Sequence, residues 1–371
     1  METNENHAPG TVTLVGSGEM SPSMGKVHRA VMSRIAEPVQ PVFLDTPAGF
    51  ELNADQISTR AVEYFERHLN LDLDIASFKT VAAATPASLE RALRGIRRAN
   101  YIFAGPGSPT YAIRNWQGTA ILKAMAQRLA TGAHLVFASA AAIAIGRYAL
   151  PVYEIYKVGA DPHWADGLDL LGPYGLELAI VPHWNNTEGS THDTRYCFVG
   201  EPRIKFLERR LPDSAIMLGI DEYTACTIDL GGGEGSVMGA GQVTIRQVGQ
   251  DDKIYPAGTS FALDELKRAC LPGGSQASAA AMSDGGATGW TDWHEFLQSA
   301  GESAGKYAGE DEIEGGTESV ESFIDLVVQM RARLRADRQW DMADEIRDRL
   351  AELGVILEDG PTGTTWRREG T

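Results

Sequence analysis

Short runs of apolar residues, each closed by a glycine-rich or polar turn, alternate with stretches in which apolar positions recur every three or four residues. Thr11–Val15 ends in Gly16-Ser17-Gly18, and Val42–Leu44 ends in Asp45-Thr46-Pro47-Ala48-Gly49. Between them, Met24–Ile35 has the spacing of a helix. Tyr101–Ala104 leads into Gly105-Pro106-Gly107-Ser108, and Leu135–Ala138 runs straight into Ser139. Strands alternating with helices predict an α/β fold with a mostly parallel sheet flanked by helices. Ligands gather beyond the carboxyl ends of such strands, where the glycine-rich segments and Ser139 all fall.

Ala179–Val181 and Met217–Ile220 are two further strand candidates. After them Ala225–Ile228 and Val243–Ile245, flanking Gly231-Gly232-Gly233, predict an antiparallel hairpin region. Past about Cys270 the pattern lapses: Gly, Ser and Ala dominate from Pro272 to Gly289, and acidic residues and glycine from Gly301 to Gly316. That composition suits a flexible linker, with Trp290–Leu297 as an apolar island in it. Helical spacing returns with Val320, Ile324, Val327 and Val328, then with Ala343, Ile346, Leu350 and Leu353. Asp341 suits an N-cap and Gly354 a C-terminal stop, and a Val355–Leu357 strand, an Asp359-Gly360 turn and Thr364–Trp366 follow. The expected division is a domain over residues 10–270, a linker over 271–317 and a small helical hairpin with its tail over 318–368.

Charge narrows the partners. A formal net charge of −17 disfavours general binding to nucleic acid or anionic membrane. Three widely spaced cysteines, Cys197, Cys226 and Cys270, form no metal knuckle and read as buried thiols of a reducing compartment. The polar start METNENHAPG lacks the pattern of a signal peptide, and the alanine-rich run Ala138–Ile145 is too short to span a bilayer, so the cytoplasm is the expected location.

Chemistry is suggested at four strand ends. Ser139, in Phe137-Ala138-Ser139-Ala140-Ala141-Ala142, lies between an apolar strand and a helix start, where a hydroxyl is displayed beside free backbone N–H groups. A serine that only caps the helix is the competing explanation. His183, in Val181-Pro182-His183-Trp184, follows another strand and is the candidate base. His134 precedes the Ser139 strand and belongs at the opposite end, while His163 and His192 fall in loops. Asp221 and Glu222 end a further strand and offer an orienting acid, with Glu154 as the alternative. Gly105–Tyr111 has small residues that let backbone N–H groups approach a substrate, without the Gly-Lys-Ser/Thr ending of a phosphate loop.

These segments in this order resemble the dipeptidase E and cyanophycinase serine peptidases, whose domain is of the class I glutamine amidotransferase-like type. The likeness covers residues 10–250. Gly105–Tyr111 resembles the family's glycine-rich loop, Phe137–Ala142 its Gly-x-Ser-Ala-Gly-Ala elbow, Pro182-His183 its histidine segment and Ile220–Ala225 its Ile-Asp-Glu-x-Thr-Ala motif. Phe137 and Ala141 stand where the elbow has glycines. The resemblance implies Ser139 as nucleophile, His183 as base, Glu222 as acid, and N–H groups of Gly105, Gly107 and Ala140 around a substrate that is a peptide or other amide. It implies no cofactor and no metal. Because both elbow glycines are replaced, a silent scaffold that binds a ligand or partner is the rival expectation. Separately, Arg331–Arg333, Trp340–Asp348, Leu353–Gly360 and Gly363–Trp366 are similar to the C-terminal segment of cysteinyl-tRNA synthetases. That likeness implies a tRNA-associated end, although acids outnumber bases across it.

Overall fold

The computed structural model describes residues 8–36, 38–189, 192–267, 355–360 and 363–368, with 328, 347 and 350. The expected linker, the island Trp290–Leu297, Cys270 and nearly all of the expected helical hairpin lie outside the described residues. The chain forms two compact units, Met1–Gln298 and Ser299–Thr371.

Along the first unit β1 (Thr11–Val15), α1 (Gly25–Met32), β2 (Pro41–Leu44), α2 (Ala54–Tyr64), β3 (Asp74–Ile75), α3 (Pro86–Arg98) and β4 (Tyr101–Ala104) follow one another. Next come α4 (Pro109–Trp116), α5 (Ala120–Ala130), β5 (His134–Ala138) and α6 (Ala140–Ala144), then β6 (Tyr148–Ala149), β7 (Ala165–Asp166), β8 (Leu178–Val181) and α7 (Gly200–Glu208). The unit ends with β9 (Ile216–Ile220), β10 (Thr224–Asp229), β11 (Glu234–Gly239), β12 (Gln242–Arg246), β13 (Lys253–Pro256) and β14 (Ser260–Ala262).

The first sheet has the order β14-β11-β10-β1-β5-β4-β2-β3, with β1, β5, β4, β2 and β3 parallel. Its central strands are apolar on both faces because both are covered. Side chains alternate: Val12, Leu14, Val42, Leu44, Ile102, Leu135 and Phe137 face the core shared with α3, α4 and α5. Val15, Phe43, Tyr101, Phe103, Val136 and Ala138 face α1 and α2. The layered α/β fold is as expected.

A second sheet, β13-β12-β9-β8-β6-β7, goes beyond that expectation, as does the hairpin partner of β10. Across Gly231–Gly233 the strand β10 pairs with β11, whereas Val243–Ile245 belongs to β12 and pairs with β9 and β13. Two of the crossings between sheets, from β9 to β10 and from β11 to β12, make adjoining corners. Asp221 ties them, accepting from the Gln242 N–H at 3.0 Å through Oδ2, while the Asp221 N–H bonds the Gln242 carbonyl at 3.1 Å. The β9–β10 corner thereby carries residues 221–223 from the second sheet to the first, where the Gly16 N–H bonds the Thr224 carbonyl.

In the second unit β15 (Val355–Gly360) and β16 (Gly363–Arg368) form an antiparallel hairpin, and Val328, Leu350 and Val355 are buried together with Leu357 and Trp366 against them.

Candidate active site

The parallel strands β1, β4 and β5 end at Gly16, Gly105 and Ser139. Ser139 has φ 50° and ψ −114°, a region non-glycine residues occupy only under constraint. The constraint is local: its N–H bonds the Val15 carbonyl at 3.0 Å, and its carbonyl accepts the Ile143 N–H at 3.1 Å. Strand therefore gives way to helix at this one residue, whose side chain is only partly buried. The hydroxyl makes no capping bond to the helix.

In the second sheet β8 and β9 are parallel, with Val181 opposite Gly219. His183 and Glu222 therefore follow parallel strand ends. His183 also has a positive φ of 50°. Its Nε2 lies 2.9 Å from Ser139 Oγ, and its Nδ1 lies 2.9 Å from Glu222 Oε1. A carboxylate accepts, so the ring proton is on Nδ1 and donates to Glu222, and the serine hydroxyl donates to Nε2. Glu222 Oε1 also accepts from Asn186 Nδ2 at 3.0 Å, and the Glu222 N–H donates to Asn185 Oδ1 at 2.8 Å. Both side chains remain partly accessible, at 17% for His183 and 21% for Glu222.

A cleft of about 330 Å³ opens over Ser139 and His183. Gly107 and Ala140 line it beside the serine; Tyr153, Tyr156, His192 and Phe198 form an aromatic wall, with Lys157 and Glu188 as its charged groups. Gly107 needs to be glycine. Its φ is +144°, and a Cβ there would lie 2.0 Å from the Pro47 carbonyl oxygen.

The fold has a counterpart of known structure. A peptidase from an acI-B1 actinobacterium superposes with a TM-score of 0.57 at 20% identity, covering 69% of this chain and 98% of its own. At that identity the likeness is one of fold. Residues 324–367 match the model of the cysteinyl-tRNA ligase anticodon binding domain. The cysteine–tRNA ligase of Tolumonas auensis is 53% identical over 47 residues, 13% of this chain and 10% of the ligase. That of Alkalilimnicola ehrlichii is 58% identical over 55 residues, 15% of this chain and 12% of the ligase. The chain joins a peptidase-type fold to a cysteinyl-tRNA ligase-like end. It spans about a tenth of the length of the ligases it matches.

Within the peptidase-type body the other candidates separate from Ser139, His183 and Glu222. Glu154 is not the partner of His183. Its Oε1 accepts from Thr110 Oγ1 at 2.7 Å, and its Oε2 is buried without a partner. Asp221 serves the corner, and burial pushes its carboxyl above the ordinary range. Gly105 ends β4 outside the cleft lining, against Phe43. His134 lies at the opposite end of β5, bonded to Thr11 Oγ1 at 2.8 Å. His163 caps a local turn through the Asp161 carbonyl. His192 lines the cleft, stacked at 6.3 Å on Tyr156.

One buried acid was not expected. Glu19, after β1, is only 6% exposed, and burial raises its carboxyl above the usual range. A Cβ on Gly105 would lie 3.7 Å from its Oε1, so the side chain starting after β1 reaches the end of β4 across the end of the intervening β5. A glutamate in a glycine-rich turn ordinarily faces water, so its burial left no mark in the pattern. Among the described residues no cluster of three or more His, Cys, Asp or Glu is placed to hold a metal ion, and no helix is long and apolar enough to cross a membrane.

Proposed function

We propose that the protein is a serine hydrolase that cleaves a short peptide or other small amide through an acyl-enzyme. One observation carries the reading: the unbroken line from Ser139 Oγ through both imidazole nitrogens to Glu222, with 2.9 Å at each link. Ser139 attacks the carbonyl carbon and His183 Nε2 takes its proton, while Glu222 stabilises the imidazolium through Nδ1–H. Backbone N–H groups of Ala140 and Gly107 receive the oxyanion, a contribution of about 3 kcal/mol for each well-aimed donor. Collapse breaks the C–N bond and His183 gives the proton to the leaving amine. Water, activated by the same imidazole, then releases the acid and restores the serine. The modest cleft favours a small substrate, and the reaction uses no cofactor.

The rival scaffold reading rests on the missing glycines, and the placement of their replacements weakens it. Phe137 is fully buried in the core shared with the α3–α5 layer, and Ala141 is buried within α6. Neither needs abnormal backbone at its own position. A fluorophosphonate probe is expected to label Ser139, and Ser139→Ala to abolish both labelling and amide hydrolysis. Hydrolysis undiminished in that variant would overturn the proposal.

A further inference from the structure

The loop that carries His183 is held in a costly conformation. Besides His183 itself, three consecutive residues that are not glycine, Tyr196, Cys197 and Phe198, have φ of 58°, 57° and 68°. Left-handed backbone costs an L-residue about 1–2 kcal/mol, so such a run persists only where its surroundings leave no alternative. The turn serves the base directly. The Cys197 N–H donates to the His183 carbonyl at 3.1 Å, the Tyr196 N–H donates to the Trp184 carbonyl at 2.9 Å, and the Phe198 ring lies 5.9 Å from the imidazole.

Two rings of this loop, Trp184 and Tyr196, are reached from β12, in the other half of the second sheet. The Arg246 guanidinium lies 4.9 Å from the centre of the Trp184 ring and 5.8 Å from that of Tyr196. Those two rings meet edge-on at 4.5 Å. The guanidinium is itself fixed: Nε and Nη2 donate to the two oxygens of Asp252 at 2.9 and 2.7 Å, with Glu208 at 3.7 Å from Nη1. The arginine side chain is only 15% exposed, so the contact is shielded from solvent. Trp184 also lies against Gly219, where a Cβ would fall 2.4 Å from the indole.

We propose that Arg246 is a positioning residue for the base: locked by Asp252 and Glu208, it clamps Trp184 and Tyr196 and so holds the strained Tyr196–Phe198 turn beneath His183. The inference rests on the reading of His183 as base. It makes Arg246, whose side chain is not in the cleft lining, a determinant of turnover rather than of substrate binding.

The test is Arg246→Lys in the full-length protein, which keeps the charge but loses the planar face and the two-pronged bond to Asp252. Three quantities are read: thermal midpoint, kcat and KM on an amide substrate, and the proton NMR signal of His183 Nδ1–H. The expected result is a folded variant whose kcat falls about tenfold or more, as small misplacements of a reacting group do, with KM within about twofold of wild type. The Nδ1–H signal should broaden or vanish. Unchanged kcat together with an unchanged signal overturns the proposal. If the wild-type protein hydrolyses nothing, the hydrolase reading fails, while the NMR signal still decides whether Arg246 orders the imidazole. Should the lysine variant not fold, Asp252→Asn frees the same guanidinium and is judged by the same outcomes.

Discussion

Phe137 occupies a place where the resembling elbow has glycine, yet its side chain points into the α3–α5 core and is completely buried. A glycine there would leave a ring-sized cavity near the end of β5. Phe137→Gly is therefore expected to lower the unfolding free energy by about 3–5 kcal/mol, measured by urea denaturation, without raising probe labelling of Ser139. Unimpaired stability with faster labelling would show that the ring obstructs the serine. The alternation of β5 already implied this direction, since residue 137 must face opposite to Ala138. What the pattern of residues did not disclose is which of several acids meets the imidazole. Glu154 and Glu222 were both candidates; the fold gives Glu154 to the Thr110 hydroxyl and sets Glu222 Oε1 2.9 Å from the ring, with Asn186 donating to the same oxygen.

Among the elements, the parallel strands were the most readable. Burial on both faces makes β1, β2, β4, β5, β8 and β9 largely continuous apolar runs, whereas the two-residue strands β3 and β6 left no such pattern. The antiparallel half was harder. In β11, Glu234–Gly239, only Gly235 and Val237 are buried, so it carries little pattern, whereas the more apolar Val243–Ile245 looked like the natural partner of β10. The corner at Asp221 decides otherwise. The joint between α1 and β4 was equally silent. His28 Nε2–H donates to the Glu19 carbonyl at 2.8 Å, its Nδ1 accepts from the Tyr101 hydroxyl at 2.5 Å, and burial lowers its pKa to about 4. The unfolded chain takes up this proton near pH 6.5, the folded one only near 4. Stability from this joint is thus present above pH 6.5 and is lost as pH falls towards 4, by about 3 kcal/mol at most. The denaturation midpoint should decline over that window, and His28→Gln, which cannot titrate, should flatten the decline. A slope identical in the two proteins would place the acid sensitivity elsewhere.

On the scale of the whole chain, two units with different likenesses share one strongly negative sequence. Similarity to an anticodon binding domain raises the idea of a tRNA partner, but the affinity of any protein for a phosphate backbone comes largely from the cations it sets against it. Here acids outnumber bases both in the complete chain and in residues 318–371. The matched segment therefore lacks the excess of positive charge that would release counterions from RNA. Purified full-length protein is expected to show no tRNA retardation at low salt beyond that of a protein of equal charge. The opposite outcome has a distinct signature: affinity falling about a thousandfold between about 50 and 200 mM salt, and disappearing when residues after Thr317 are deleted. Such a result would mean that the bases of this segment, Arg331, Arg333, Arg335 and Arg338 among them, bind phosphate in spite of the overall charge. Their replacement by glutamine would then have to remove the salt dependence as well.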